Sequence, residues 1–361
     1  MEFKKFNAIN TSSKIAICGL PLRVDSYKTC TFNCRYCFSN NRKIMEFNKE
    51  LQVANINQFE KTLKRIHVDN NVKENSLIDN LLYEDITLHW GGMSDPFQHI
   101  EKKLGITKQL IDISNKYNKH VLFSTKTDTV YDCDIRPDLH SFQLSFTSSK
   151  TDKNLEPGVA CFENRLKFYK ELKSKGFKVG IRLQPFIPGV TDIELVEIFK
   201  DADYFTIEGL KLVPQNKDQK DFVYNNLSLS PEDFTQKGLL TLKENIRSSA
   251  YVEFIEKLNE YNIPFSIADN DMRSITSSKC CCGEPLVRKS TDFNTTAMLY
   301  KYDSDYTLDD VMNNCSCAVM GSKANQLFTS NRTEGCVTLK EFYDKRFDRK
   351  TSPFSPKFQV I

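Results

Sequence analysis

No stretch of eighteen or more apolar residues occurs in the 361-residue sequence, so no membrane-spanning helix is expected. The opening segment, MEFKKFNAINTSSK, lacks the apolar core of a secretory signal, and the chain reads as cytoplasmic. An excess of either charge is missing too: 50 basic residues face 47 acidic ones, leaving +3. So even a balance gives no strong field for steering onto nucleic acid, which makes DNA an unexpected partner while leaving local basic patches open. No internal repeat appears, so solenoid architectures are not indicated.

What the sequence has is cysteine, twelve in all. In a reducing compartment these are expected as ligands or free thiols rather than disulfides. Their spacing separates an early trio from a late group and scattered singles.

The coarse reading is alternating strand and helix. Strands are expected at Leu22–Tyr27, Ile86–Trp90, Val121–Thr125, Phe142–Thr147, Lys178–Gln184, Tyr204–Ile207 and Pro264–Ala268. Helices are expected at Ile100–Tyr117 and Phe162–Lys175, where apolar residues recur at helical spacing. Such alternation predicts parallel βα units, about six before residue 270, and hence an α/β partial TIM-like barrel. Residues 214–236 read as a polar loop or insertion. Residues 1–270 are expected to form the barrel, and 271–361 a cysteine-rich extension covering its mouth.

Each predicted strand has one apolar and one polar side, because successive side chains alternate faces. If helices cover the apolar sides, the polar ones line a lumen. That lumen would carry His89, Gln143, Ser145, Arg182, Gln184 and Glu208, a set suited to a polar ligand. The alternative is an antiparallel sheet with one wet face.

The early trio reads Cys30-Thr-Phe-Asn-Cys34-Arg-Tyr-Cys37-Phe. Three thiolates on one loop after a strand can hold three irons of a cubane. Iron–sulfur clusters normally take four cysteines, so a trio leaves one iron for a non-protein ligand. Zinc would want a fourth Cys or His nearby, and the loop offers none, though the late cysteines remain available. A binding protein with a structural zinc and no chemistry therefore stays open as the non-enzymatic alternative, and so does a chance spacing.

The C-x3-C-x2-C spacing, with an aromatic before the last cysteine, resembles the radical S-adenosylmethionine (SAM) superfamily. That resemblance implies a [4Fe–4S] cluster on Cys30, Cys34 and Cys37, and SAM chelated at the open iron. It implies reductive cleavage of SAM to a 5′-deoxyadenosyl radical that abstracts hydrogen from substrate, with an electron donor such as flavodoxin or ferredoxin. The turn Trp90-Gly91-Gly92-Met93-Ser94-Asp95-Pro96 stands where the superfamily meets SAM's amino group, although Met93 replaces the usual acidic residue. Arg182 is a bidentate match for SAM's carboxylate. Ser145, Tyr36 and Lys126 are further candidates to hold SAM.

Several stretches together resemble the spore photoproduct lyase-like branch: the trio with Tyr36 and Phe38, Ser94-Asp95-Pro96-Phe97-Gln98 followed by Glu101, Ser124-Thr125-Lys126, Leu155-Glu156-Pro157 followed by Arg165, and Pro185-Phe186-Ile187-Pro188-Gly189. The branch implies a lyase acting on a nucleobase-type substrate. With no basic excess, the expected substrate is a small deazaguanine-type base. The implied activity is that of a queuine lyase, releasing 7-aminomethyl-7-deazaguanine in queuosine salvage for tRNA modification. His89, Gln143, Gln184, Glu208, Asp269 and Asp271 are then substrate-binding candidates. The alternative is repair of a DNA photolesion extruded from the duplex.

Cys280-Cys281-Cys282 is an unusual run, with Cys315, Cys317 and Cys336 beyond it. One of the three adjacent thiols is the candidate hydrogen donor to a product radical. An auxiliary cluster and inert thiols are the other readings.

Overall fold

In the computed structural model, residues 3–12, 18–39, 51–73, 76–269, 272 and 282–291 are described. Thirteen strands occur among them: β1 (Lys4–Phe6), β2 (Ile9–Thr11), β3 (Leu22–Val24), β4 (Gln52–Ala54), β5 (Leu88–Trp90), β6 (Val121–Thr125), β7 (His140–Ser145), β8 (Lys178–Phe186), β9 (Tyr204–Gly209), β10 (Lys211–Leu212), β11 (Phe234–Lys237), β12 (Leu239–Leu242) and β13 (Phe265–Ile267). The main sheet runs β13-β9-β8-β7-β6-β5-β3-β2. Every pairing in it is parallel except β2 with β3. This is the α/β partial barrel that the alternation predicts. None of the helices of the described residues is long and apolar enough to cross a membrane.

Apolar alternation decides which side of the sheet is dry. Leu88, Trp90, Val121, Phe123, Phe142, Leu144, Val179, Ile181, Phe205 and Ile207 face outward into one continuous core. The helices Ile56–His67, Ile106–Lys116, Phe162–Ser174 and Glu244–Glu260 cover that side with residues such as Phe59, Leu63, Leu110, Phe168 and Phe254. The other face curls around a lumen. Leu20, just before β3, and Tyr204 on β9, five strands away in the sheet, belong to one buried cluster with Leu122, Cys282 and Leu286.

Three details depart from the sequence reading. The helix expected over residues 100–117 is two helices, Glu101–Leu104 and Ile106–Lys116, hinged at Gly105, whose φ of 60° ends the first turn of chain. Strands β6 and β7 are joined without a helix. Threonines there compete for the backbone: the Thr127 hydroxyl accepts from the Thr129 amide, and Thr129 from the Tyr131 amide. Residues 214–236 are not a plain loop. Asn216 caps a helix, Lys217–Asn226, by accepting from the Gln219 amide, and β10, β12 and β11 form a small antiparallel sheet beside it. Phe222, Val223, Leu227 and Phe234 from this insertion bury themselves on the cysteine loop against Phe32, Cys34 and Tyr36. The sequence reading saw a polar average and missed this narrow apolar face.

The extension also sits differently from expectation in its described part. Residues 282–291 enter the lumen and run toward the N-terminal ends of the strands. The Cys282 carbonyl accepts from Gln143 Nε2 at 3.1 Å, midway along β7. The Leu286 carbonyl accepts from Ser141 lower down. The Lys289 carbonyl takes the Thr87 amide at 2.9 Å, below β5. The segment is a floor for the lumen, and residues 292–361 lie outside the described residues. A Cβ added to Gly180 would meet Leu286 Cδ1 at 2.6 Å, so β8 leaves room for the plug only because position 180 has no side chain. Leu286 is 1% exposed. Leu286→Ala is therefore expected to cost about 2–5 kcal/mol in a urea titration, as for other fully buried leucines. A cost near zero would mean that the segment is not seated in the lumen.

Candidate active site at the C-terminal ends of the strands

The cysteine loop leaves β3 at the end where barrel chemistry gathers. It is held on several sides. The Arg35 amide donates to the Leu155 carbonyl at 3.0 Å, and the Gly158 amide to the Phe32 carbonyl at 2.9 Å. Any side chain at Gly158 would collide with the Phe32 backbone, at 2.7 Å. Cys34 is buried, and Cys30 and Cys37 are half-buried; none of the three is in a disulfide. Burial pushes the Cys30 thiol up to about 12, and the Cys37 thiol adds to that rise. Cys34 is raised as well, by burial first and then by Glu156, with Lys126 opposing and Cys37 and Cys30 contributing. The three sulfurs thus lie within electrostatic reach of one another. Among the described residues no three Cys, His, Asp or Glu side chains converge as ligands of a single ion. A cubane asks for something else, one thiolate at each of three separate corners.

Behind the loop lies a buried charge network. Tyr36 donates its hydroxyl to Glu156 Oε1, and Lys126 Nζ stands 2.9 Å from the same oxygen. Thr147 Oγ1 donates to Glu156 Oε1 at 2.8 Å, and Arg165 approaches Oε2 at 3.6 Å. Burial alone would push the Glu156 carboxyl up, but Lys126 and Arg165 outweigh it and hold it down to about 2. The ammonium of Lys126 also lies 5.6 Å from the Tyr36 ring centroid. Of this group the sequence reading gave roles to Tyr36 and Lys126; Glu156, the anion joining them, had none.

The glycine turn after β5 is shaped by backbone needs. Gly91 has φ +97°, and a Cβ there would fall 2.2 Å from the Ser124 carbonyl oxygen. Only glycine can let the turn pass so close to β6. Asp25 receives the amides of Met93 and Ser94 at 3.0 and 3.4 Å. Burial raises its carboxyl to about 6 against those amides. Asp95 brackets the turn to the end of β6, accepting from Thr125 Oγ1 at 2.7 Å and from the Lys126 and Phe97 amides at 2.7 and 3.0 Å. Ser94 donates to the Tyr27 carbonyl at 2.6 Å. Ser94 and Asp95 thus spend their polar atoms on the scaffold of the turn. The backbone of Gly91 and Gly92 remains the part of it suited to an ammonium group.

Inside the lumen the expected polar side chains do meet. His89 Nε2 lies 2.7 Å from Ser124 Oγ, which donates to Gln143 Oε1 at 3.2 Å. Arg182 donates to that same Gln143 oxygen at 2.9 Å and also to Gln184. Gln184 donates to Glu208, and Lys211 pairs with the other Glu208 oxygen. Gln143 Nε2 reaches Thr206 Oγ1 at 3.1 Å. Burial, with Arg23 and Arg182 close by, lowers His89 well below the ordinary imidazole value, so it is a neutral ring. Ser145 is buried on β7, in register with Arg182. Asp269 is turned into the wall: it takes the Gly209 amide at 3.0 Å and the Tyr251 hydroxyl at 2.8 Å, with Lys211 and Arg247 beside it. Cys282 does face this network, its sulfur 3.8 Å from His89 Nδ1. Cys280, Cys281 and Asp271, and the later Cys315, Cys317 and Cys336, lie outside the described residues.

Arg23 and Lys211 were missed. Arg23 pairs with His89 from the neighbouring strand, and the alternation Leu22-Arg23-Val24 was signal enough to place it inward. Lys211 lies on β10, three residues after Glu208, and pairs with it across that short spacing.

No protein-family model matches the sequence, and no curated protein matches it. Solved structures do. Spore photoproduct lyase complexed with dinucleoside spore photoproduct superposes with a TM-score of 0.54 at 15% identity, over 72% of this chain and 78% of that one. The chain shares that protein's fold. A double mutant of the same lyase, with bound AdoMet and the dinucleoside, gives 0.54 at 16% identity over the same shares of the two chains. A single mutant gives 0.55 at 14%, over 73% of this chain and 80% of that one.

Proposed function

We propose that this chain is a radical SAM enzyme of the lyase type, acting on a nucleobase. One observation carries the reading: three thiols, on a loop pinned from several sides, stand at the C-terminal end of β3 in a barrel with the fold of spore photoproduct lyase. When bound there, a [4Fe–4S] cluster supplies the electron that cleaves SAM reductively, and the radical chemistry belongs to that cofactor pair rather than to the protein. Cys30, Cys34 and Cys37 would hold the cluster. The chain's other residues bind, orient and exclude water.

Lys126 and Arg182 offer the positive charge for SAM's carboxylate, and the backbone at Gly91–Gly92 offers acceptors for its amino group. Ser145 lies in register with Arg182 and is placed to assist it. Tyr36 is engaged by Glu156 and Thr147 through its hydroxyl, and its ring is buried with Phe32 and Cys34, which fixes the wall beside the trio. For substrate the lumen offers donors and acceptors in alternation, Gln143, Arg182, Gln184 and Glu208, above a floor made by residues 282–291. A base edge finds complementary groups along such a row. Cys282, at the floor, remains the described candidate for hydrogen donation.

The shared fold favours a base lesion in DNA as substrate over queuine, for which no comparison speaks. The balanced net charge is the counter-indication, and it asks for a local rather than a global basic surface. An anaerobic assay of the reconstituted chain decides, with SAM, a strong reductant, and either a dinucleoside photolesion or queuine. The expected result is 5′-deoxyadenosine whose formation rises with the lesion, together with the repaired dinucleotide. Rise with queuine, and release of 7-aminomethyl-7-deazaguanine, would transfer the assignment to salvage. Absence of 5′-deoxyadenosine under all conditions would remove the radical SAM reading itself.

A further inference from the structure

Two buried glutamines, far apart in sequence, grip the two ends of the cysteine loop. Gln98 is fully buried. Its Nε2 donates to the Thr29 carbonyl at 2.8 Å and its Oε1 accepts the Thr31 amide at 2.7 Å. One side-chain amide thus spans the peptide units on both sides of Cys30. Gln219 is 2% exposed. Its Nε2 donates to the Tyr36 carbonyl at 2.7 Å, the peptide unit that leads into Cys37. Its Oε1 accepts the Val213 amide at 2.8 Å, and its own amide is fixed by Asn216 at the start of its helix.

The two amides come from different places. Gln98 follows the glycine turn of β5, within the barrel proper. Gln219 belongs to the insertion between β10 and β11, so the insertion touches the outgoing end of the loop through a directed bond as well as through Phe222 and Val223. Arg35 lies over the Phe222 ring at 4.4 Å on the same contact. A loop with three thiols and no regular secondary structure has many conformations of similar energy, and ordering it costs conformational entropy for each residue fixed. A binding site whose geometry is set beforehand does not draw that cost from ligand affinity.

We propose that Gln98 and Gln219 are positioning residues that hold the cysteine loop in its ligating shape before the cluster arrives, and that Gln219 makes this shape dependent on the insertion. The proposal rests on the radical SAM reading only for what the loop receives; the clamp itself is a property of the chain. The side-chain amides of both glutamines bond backbone groups, those of Thr29, Thr31, Tyr36 and Val213. Each acts on a cysteine through the adjoining peptide.

The test uses the full chain and the variants Gln98→Glu and Gln219→Glu. Both keep the accepting oxygen for Thr31 or Val213, and when ionised they have no donor for the Thr29 or Tyr36 carbonyl. Gln98→Met and Gln219→Met serve as uncharged second variants of similar length that have no donor at any pH. In the metal-free chain, amide hydrogen exchange is read at Arg35 and Cys37, whose amides are bonded to the Leu155 and Cys34 carbonyls. The expected result is exchange about fivefold faster in each variant, the factor one net hydrogen bond is worth, with exchange at β7 and β8 unchanged. In the reconstituted chain, the variants are expected to lose iron to a chelator faster than the parent and to show a broadened, shifted resonance of the reduced cluster. Unchanged exchange in the loop would overturn the clamp. So would equal iron retention with an unaltered resonance. If the parent takes up no cubane at all, the radical SAM reading fails, and the exchange measurement still decides the clamp.

Discussion

Replacing Cys34 by Ala is expected to abolish 5′-deoxyadenosine formation while leaving the chain folded. Cys34 is the most enclosed of the trio, 7% exposed, and its side chain packs with Phe32, Tyr36 and Phe222. The truncation removes a single sulfur, so its cost to stability is expected near the ordinary centre for point mutants, about 1 kcal/mol. If the trio holds the cluster as proposed, its loss would not be so graded: a corner without its thiolate would be an iron open to solvent, and two cysteines would not retain the cubane. Iron and acid-labile sulfide should fall well below the parent, and the brown colour of an anaerobic preparation should fade. Cys133→Ala and Cys161→Ala are the controls. Both residues are half-buried free thiols that are not part of the loop, Cys133 on the β6–β7 connection and Cys161 just before the Phe162–Ser174 helix. They should retain iron and turnover like the parent. A Cys34→Ala chain that still produced 5′-deoxyadenosine would show that the trio is not the cluster site, and a zinc content of one per parent chain would point to the non-enzymatic alternative.

The frame of this protein is written locally. Val121–Thr125 matches its strand residue for residue, and the helix from Phe162 and the strand from Lys178 begin where the pattern places them. The same alternation separates Leu144, Ile181 and Ile207, which lie in the outer core, from Gln143, Arg182 and Glu208, which meet in the lumen. What the alternation cannot express is any contact that depends on two distant segments docking. Gln219 reaches the cysteine loop because the insertion folds back on it, and the insertion's apolar face is four residues wide within a polar stretch. The floor made by Cys282 and Leu286 depends on the chain passing into a lumen that exists only after the sheet has curled. Asp95 illustrates a different limit. Its motif neighbourhood suggested a cofactor contact, yet its oxygens are taken by Thr125, Lys126 and Phe97, and the sequence does not say which polar groups a turn will consume for its own construction.

Removing the charge of Glu156 is expected to have the largest effect on stability of any single polar substitution near the site. The carboxylate sits between Lys126 and Arg165, whose side chains are 12% and 3% exposed, and it receives the hydroxyls of Tyr36 and Thr147. Glu156→Gln preserves volume and one acceptor but leaves two cations buried without their anion. Breaking such a buried pair from one side costs about 3–5 kcal/mol, because the remaining charge keeps its desolvation penalty and loses its compensation. The pH dependence isolates the charge from the packing. In the folded chain the carboxyl titrates at about 2, against 4.5 for the ordinary group. A group held down in this way contributes its stability above the unfolded value and loses it as pH falls toward the folded one. The gap in unfolding free energy between parent and Glu156→Gln should therefore be level above about pH 4.5 and narrow steadily below it, as the unfolded parent takes up the proton that the folded parent resists. Urea titrations at a series of pH values measure it directly. A gap that stays level down to pH 3 would mean that the variant is destabilised by packing or lost hydrogen bonds, and that Glu156 does not carry the charge that joins the cysteine loop to β6 and to the Phe162–Ser174 helix.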